Sequence, residues 1–212
     1  MAEISRTALF GKLNKVGYKA IEAATVFCKM RGNPYVEVVH WIHQILQLKD
    51  SDLHRIVKQF DLDPSRLAAD LTDALDRLPR GSSTISDLSS TIEEAVERGW
   101  VLATLMFGES QVRTGYLVAG MLQNRNLRNL LRGISPEFEK IRFETLTDRF
   151  AEIVGNSPES ALGASDGFQV GGGGLVHDPT AVAADLGRIG NVIASRCEVS
   201  SGMAHQHGRG TH

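Results

Sequence analysis

The sequence predicts an all-α fold: a duplicated four-helix repeat forming one compact helical domain, with an extra N-terminal helical segment and a flexible C-terminal tail. Apolar residues recur at spacings of three and four in nearly every segment up to Ile153, the period of a helix with one buried face. The same succession of helices and breaks runs twice, over about residues 8–80 and about 83–155. From residue 156 to residue 212 the chain turns rich in glycine, serine and alanine, which bury too little to offset the entropy of ordering.

Leu9, Leu13, Val16, Ala20, Ala23, Ala24 and Phe27 mark residues 5–31 as helical, and Gly11 and Gly17 predict either two short helices or a bend near Gly17. Gly32 suits a C-cap and Pro34 rejects continuation. Residues 36–48 then carry apolar side chains around most of the circumference, which predicts a central helix. A turn over residues 49–52 leads into a short helix with Leu53, Ile56, Val57 and Phe60. Asp63 caps and Pro64 opens the next, lined by Leu67, Leu71, Leu75 and Leu78.

In the second unit, Ser83 or Thr84 opens a helix containing Ile85, Leu88, Ile92, Ala95 and Val96, with Val101, Leu102, Leu105 and Met106 extending its apolar face. Gly108 marks the turn before a second central helix over residues 112–122, and Leu127, Leu130, Leu131 and Ile134 define a short one. Ser135 and Pro136 start a last helix with Phe138, Ile141, Phe143, Leu146, Phe150 and Ile153 on one face. Particular residues also match: Ile21, Glu22 and Ala24 with Ile92, Glu93 and Ala95; Trp41–Ile42 with Tyr116–Leu117; Leu53 and Ile56–Val57 with Leu127 and Leu130–Leu131; Asp63–Pro64 with Ser135–Pro136. In the tail, residues 171–174 read as linker and residues 179–194 as a short helix.

A formal net charge of -2 gives no global attraction for nucleic acid. The best basic cluster, Arg125, Arg128, Arg132, Lys140 and Arg142, lacks interleaved aromatics and reads as a solvated face. No apolar run is long enough to span a membrane and the N-terminus lacks signal-peptide order, so a cytoplasmic protein without membrane contact is expected. Cys28 and Cys197 stand far apart in unlike contexts, giving no support for a disulfide framework.

The chain has no Gly-x-x-x-x-Gly-Lys-Ser/Thr loop, and Leu175 follows the glycine run where lysine would have to stand. His40 and His43 share a helix face near Asp50, Asp52 and His54, too dispersed for a metal set, so neither metal nor cofactor is expected. His40 reads as a hydrogen-bonded helix-start residue and Cys28 as a packed one. No catalytic residue is assigned.

Ala24, Gly32, Asn33, Tyr35 and Val36 leading into His40, Trp41 and Leu46, with the duplication, resemble the Clp N-terminal domain. That is the double-repeat substrate and adaptor module at the front of Clp- and ClpB-type ring unfoldases. Trp100 to Gly108 and the extra helical stretch before Ile21 are most similar to its branch in ClpV, the type VI secretion ATPase that disassembles contracted sheaths. The resemblance covers residues 5–155. It implies a non-catalytic domain that holds a helix from the N-terminus of the large sheath subunit in a hydrophobic groove involving the added first helix. Such a domain is monomeric alone and hexameric only when attached to ATPase modules. The alternative it leaves open is a generic adaptor-binding domain acting through charged surfaces. The second repeat departs from the family pattern in carrying Gly115 where a histidine is expected.

The first helix has more apolar residues than a four-helix repeat uses: Leu9, Phe10, Leu13 and Val16. By the pseudo-symmetry of the duplication, their counterpart is Ile85, Leu88 and Ile92. These seven are the expected walls of a groove that takes an amphipathic helix.

Overall fold

The computed structural model of the chain describes residues 5–163; the expected tail helix over 179–194 and the glycine run at 171–174 lie outside them. The element order is α1 (Arg6–Gly11), α2 (Lys15–Arg31), β1 (Tyr35–Val36), α3 (Val38–Leu46), α4 (Asp52–Gln59), α5 (Pro64–Asp76), β2 (Asp87–Leu88), α6 (Ser90–Phe107), α7 (Thr114–Gln123), α8 (Arg125–Ile134), a 3-10 turn (Pro136–Lys140), α9 (Phe143–Asp148), α10 (Phe150–Val154) and a second 3-10 turn (Pro158–Ala161). Helices α2 to α5 make repeat one, and α1 is the extra N-terminal segment.

The break in the first segment falls at residues 12–14, after Gly11, and Gly17 lies inside α2. Its cause is long-range: Leu13 makes a parallel bridge to Val112, and Asn14 caps α2 by accepting from the Gly17 amide. The second unit opens later than expected, at Ser90, because Asp87 and Leu88 form a strand beside Tyr35 and Val36.

These two pairings are reciprocal. The Asn14 amide donates to the Val112 carbonyl at 2.9 Å and the Val112 amide to Lys12 at 2.7 Å. At the other junction the Ser89 amide donates to Val36 at 2.9 Å and the Ser86 amide to Pro34 at 2.7 Å. The segment entering the first helix of each repeat thus pairs with the segment entering the central helix of the other, lacing the repeats into one core.

The pairings also fix which residues are equivalent. Asn14 and Ser89 are the N-caps of α2 and α6, and Glu37 and Arg113 those of α3 and α7. Ile21 therefore corresponds to Val96, one helical turn from the match read in the sequence, and Trp41 to Leu117. Tyr116, rather than Gly115, takes the place of His40. Gly32 (φ 71°) and Gly108 (φ 65°) end α2 and α6 in the left-handed conformation that favours glycine. Asp63–Pro64 and Ser135–Pro136 match as read, each a cap followed by proline at the first position.

The central helices are buried as their composition predicts: α3 buries Val38, Val39, His40, Trp41, Ile42 and Ile45, and in α7 every residue from Thr114 to Leu122 is buried. Helices α6 and α7 cross so closely that a Cβ on Gly120 would lie 2.7 Å from the Gly99 nitrogen. The last element of repeat two is not one helix. The 3-10 turn after Ser135, then α9 and α10, replace it, although Phe138, Ile141, Leu146, Phe150 and Ile153 are buried as expected. Val101, Leu105 and Met106, placed on the apolar face of α6 from sequence, are exposed. The packed body also runs past residue 155, the expected boundary: Ser157 and Glu159 are buried.

Candidate functional site

Helix α1 is six residues long, too short to be stable alone, and it is held by its neighbours. Leu9 and Phe10 pack into the core, and Arg6 reaches the start of repeat two. Its guanidinium donates to both Asp87 oxygens at 2.7 and 2.8 Å and also pairs with Glu93 on α6. Arg6 holds the Asp87 carboxyl below the ordinary carboxylate range. Arg6 therefore holds α1, with Leu9 and Phe10, against the start of repeat two, while Leu13 sits at the bridge to Val112 and Val16 on the first turn of α2.

The expected groove residues differ in exposure. Leu13 and Ile92 have no exposed surface, while Leu9 and Phe10 are each 6% exposed. Val16, Ile85 and Leu88 are partly exposed, the last two packed against the core from outside. Lys12 places its ammonium 5.3 Å from the ring centre of Trp100, further along α6. Of the seven expected groove residues, only Val16, Ile85 and Leu88 are more than marginally accessible.

At the entrances to α2, α4 and α7 runs a buried polar network that sequence inspection missed. Glu159, fully buried, accepts from Asn14 Nδ2 at 2.8 Å, the Asp52 amide at 2.7 Å and the Thr114 amide at 2.8 Å, and from the Thr114 hydroxyl. Burial holds its carboxyl above the ordinary range, with Asp52 adding to the shift and Thr114 opposing it. Beside it Arg113 donates to both oxygens of Asp52 at 2.8 Å. Asp52 and Glu159 read in the sequence as a helix-start acid and a linker acid, and their partners lie too far along the chain for any local pattern to reveal them.

The other singled-out residues are structural. His40 Nδ1 accepts from the Glu37 amide at 3.0 Å, so Nε2 donates to Asn33 Oδ1 at 3.0 Å, and burial lowers its pKa to about 4. His43 stacks on Phe27 with ring centres 4.8 Å apart. Cys28 is buried and burial pushes its thiol up to about 11. Among the described residues no three His, Cys, Asp or Glu side chains converge as metal ligands, and no helix is long and apolar enough to cross a membrane. A cleft of about 610 Å³, absent from the sequence reading, opens between α3, α4 and α5, lined by His43, Leu46, Val57, Leu62, Leu67 and Leu71 among others. In the basic cluster Arg132 pairs with Glu139 and Lys140 with Glu137.

The buried titratable groups described above are engaged in holding helix junctions together. That is the arrangement of a helical repeat module whose buried polar groups serve its own packing. The chain belongs to the Clp repeat (R) N-terminal domain family, which it matches over residues 12–134. Among curated proteins it is 71% identical over 171 residues to the AAA+ ATPase ClpV1 of Pseudomonas aeruginosa, covering 81% of this chain and 19% of that one. It is 46% identical over 164 residues to a chaperone protein ClpB of Yersinia enterocolitica, covering 77% of this chain and 18% of the relative. The chain thus spans about a fifth of the length of these relatives.

Solved structures agree on the fold. One, from work on the coevolution of the ATPase ClpV, the TssB-TssC sheath and the accessory HsiE protein, is 72% identical with a TM-score of 0.73, covering 75% of this chain and 98% of that chain. A complex of a ClpV N-domain with a VipB peptide is 26% identical with a TM-score of 0.65, covering 75% and 97%.

Proposed function

We propose that this domain binds an amphipathic helix from the N-terminus of the large type VI sheath subunit, in the groove where α1 meets β2 and α6. It would serve as the cytoplasmic recognition end of a sheath-disassembling AAA+ unfoldase, hexameric only through attached ATPase modules. The observation that supports this reading is the pairing of Arg6 with Asp87 and Glu93, which holds α1 against the start of repeat two, more than 70 residues away in sequence. The identity to ClpV1 and the ClpV N-domain fold solved with a VipB peptide support it.

Val16, Ile85 and Leu88 supply the contact surface, and Leu9, Phe10, Leu13 and Ile92 set its shape from behind. A few hundred Å² of apolar burial at about 25 cal/mol per Å² gives several kcal/mol before association costs, hence affinity of about micromolar order. The charged-surface alternative has less to draw on, since Arg132 and Lys140 are already paired. Hydrogen exchange with and without the sheath peptide tests the location. Protection of residues 6–16 and 85–93 supports the groove, whereas protection confined to residues 43–72 moves binding to the α3–α5 cleft.

A further inference from the structure

Helix α8 carries three arginines and no acidic residue. Arg125, Arg128 and Arg132, at spacings of three and four, share one exposed face, opposite the buried Leu127, Leu131 and Ile134. Arg132 meets Glu139 in a half-exposed pair, which solvent screens. Among the described residues, the guanidinium groups of Arg125 and Arg128 have no hydrogen-bond or ion-pair partner.

This charge works against the helix that bears it. Arg125 is the first residue of α8, where the free backbone amides are already positive, and Arg128 and Arg132 repel each other one turn apart. The carboxylate that reaches this end, Glu94, is taken by Asn124 Nδ2 at 2.7 Å, and Asn124 in turn caps α8. In repeat one the short helix after the central helix, α4, is arranged the other way: its first residue is Asp52, and its arginine, Arg55, is held by both oxygens of Asp50. The unbalanced charge of α8 is therefore no requirement of the repeat, and a local rule broken without structural need marks a surface kept for a partner.

We propose that the arginine face of α8 is a docking surface for an acidic segment of a partner protein, built from residues other than those of the groove proposed above. Guanidinium groups take carboxylates through paired hydrogen bonds. The three arginines span about 10 Å along the helix, the reach of three or four residues of extended chain, so a run holding two or three carboxylates is the match. No aromatic residue stands on α8 for bases to stack on, which favours an acidic protein segment over nucleic acid.

The test titrates a labelled octaglutamate peptide into the full chain at low salt and follows fluorescence anisotropy. Saturable binding that falls steeply as salt is added is expected. Arg125→Glu and Arg128→Glu each weaken it at least tenfold, and Arg128→Lys, which keeps the charge without the paired geometry, weakens it less. Both glutamate variants are also expected to raise the melting temperature, because each relieves the positive charge near the start of α8; a merely structural arginine would lower it when replaced. Lys15→Glu and Lys19→Glu, the same charge change at exposed positions on α2, leave binding within about twofold. Absence of peptide binding, equal loss in Lys15→Glu and Arg128→Glu, tighter binding of a single-stranded oligonucleotide of matched charge, or a lowered melting temperature in Arg125→Glu would each overturn the proposal.

Discussion

Asn14 donates from Nδ2 to the Glu159 carboxylate at 2.8 Å across 145 residues of sequence, while its own Oδ1 caps α2. Through Glu159 the end of the packed body is fastened to the N-cap of α2, and through the Asp52 and Thr114 amides to the entrances of α4 and α7. One buried carboxylate therefore ties both repeats together.

Removing that carboxylate leaves four buried donors unpaired next to the Asp52–Arg113 pair. Glu159→Ala is expected to cost about 3–5 kcal/mol, the range for breaking a buried charged network. Urea unfolding measures it, and hydrogen exchange should show lost protection at the Asp52 and Thr114 amides. A cost within about 0.5 kcal/mol, the range of an ordinary surface substitution, would contradict the role.

His40 makes stability depend on pH in a defined direction. Its folded pKa of about 4 lies below the ordinary histidine value of 6.5, so the unfolded chain binds the proton more readily between those values. The neutral-ring contribution is fully present above pH 6.5 and is lost as pH falls toward 4. Integrated, it is about 3 kcal/mol by order of magnitude. In urea titrations between pH 7 and about 4, His40→Gln should be less stable at neutral pH and show a correspondingly shallower acid slope. Equal slopes would place the acid sensitivity elsewhere.

The α6–α7 crossing leaves no room for a methyl group. Gly120→Ala puts a Cβ 2.7 Å from the Gly99 backbone nitrogen and is expected to destabilise by about 2 kcal/mol or more. Gly133→Ala on the exposed side of α8 meets nothing within 4 Å and should stabilise by about 0.5–1 kcal/mol through helix propensity. Thermal unfolding of the two variants should therefore move in opposite directions.

Leu13 serves as the control for the groove. It is fully buried at the inter-repeat bridge, so Leu13→Ala should cost about 2–5 kcal/mol through the cavity it leaves. Any loss of peptide binding should then track the unfolded fraction seen by circular dichroism. Binding lost in a chain as stable as the parent would instead make Leu13 a contact residue.

The duplication and the two central helices were legible because both are periodic and local. Residues 36–48 and 112–122 are apolar on nearly all sides, and a helix of that kind has to be surrounded. The Asp63–Pro64 cap was equally local. What escaped was set by partners distant in sequence: the break at Leu13 comes from Val112, the late start of α6 from pairing with Tyr35 and Val36, and the burial of Glu159 from Asn14 and Thr114. Periodicity placed Leu105 on the buried face of α6, but its equivalent on α2, Met30, is bare too, so the exposure belongs to the repeat and not to local composition. Which of the expected groove side chains stay reachable could not be read from sequence, because the seating of α1 depends on contacts of Leu9, Phe10 and Arg6 with parts of the chain distant from it.

The central claim is tested most directly by titrating a labelled peptide from the N-terminus of the large sheath subunit into the full chain and following fluorescence anisotropy. The parent chain should saturate with a dissociation constant of about micromolar order. Leu88→Asp, at a partly exposed position, should weaken binding at least tenfold with unchanged circular dichroism, and raised salt should change it little. Binding that survives Leu88→Asp and Ile85→Asp unchanged, or that disappears with salt alone, would contradict the groove.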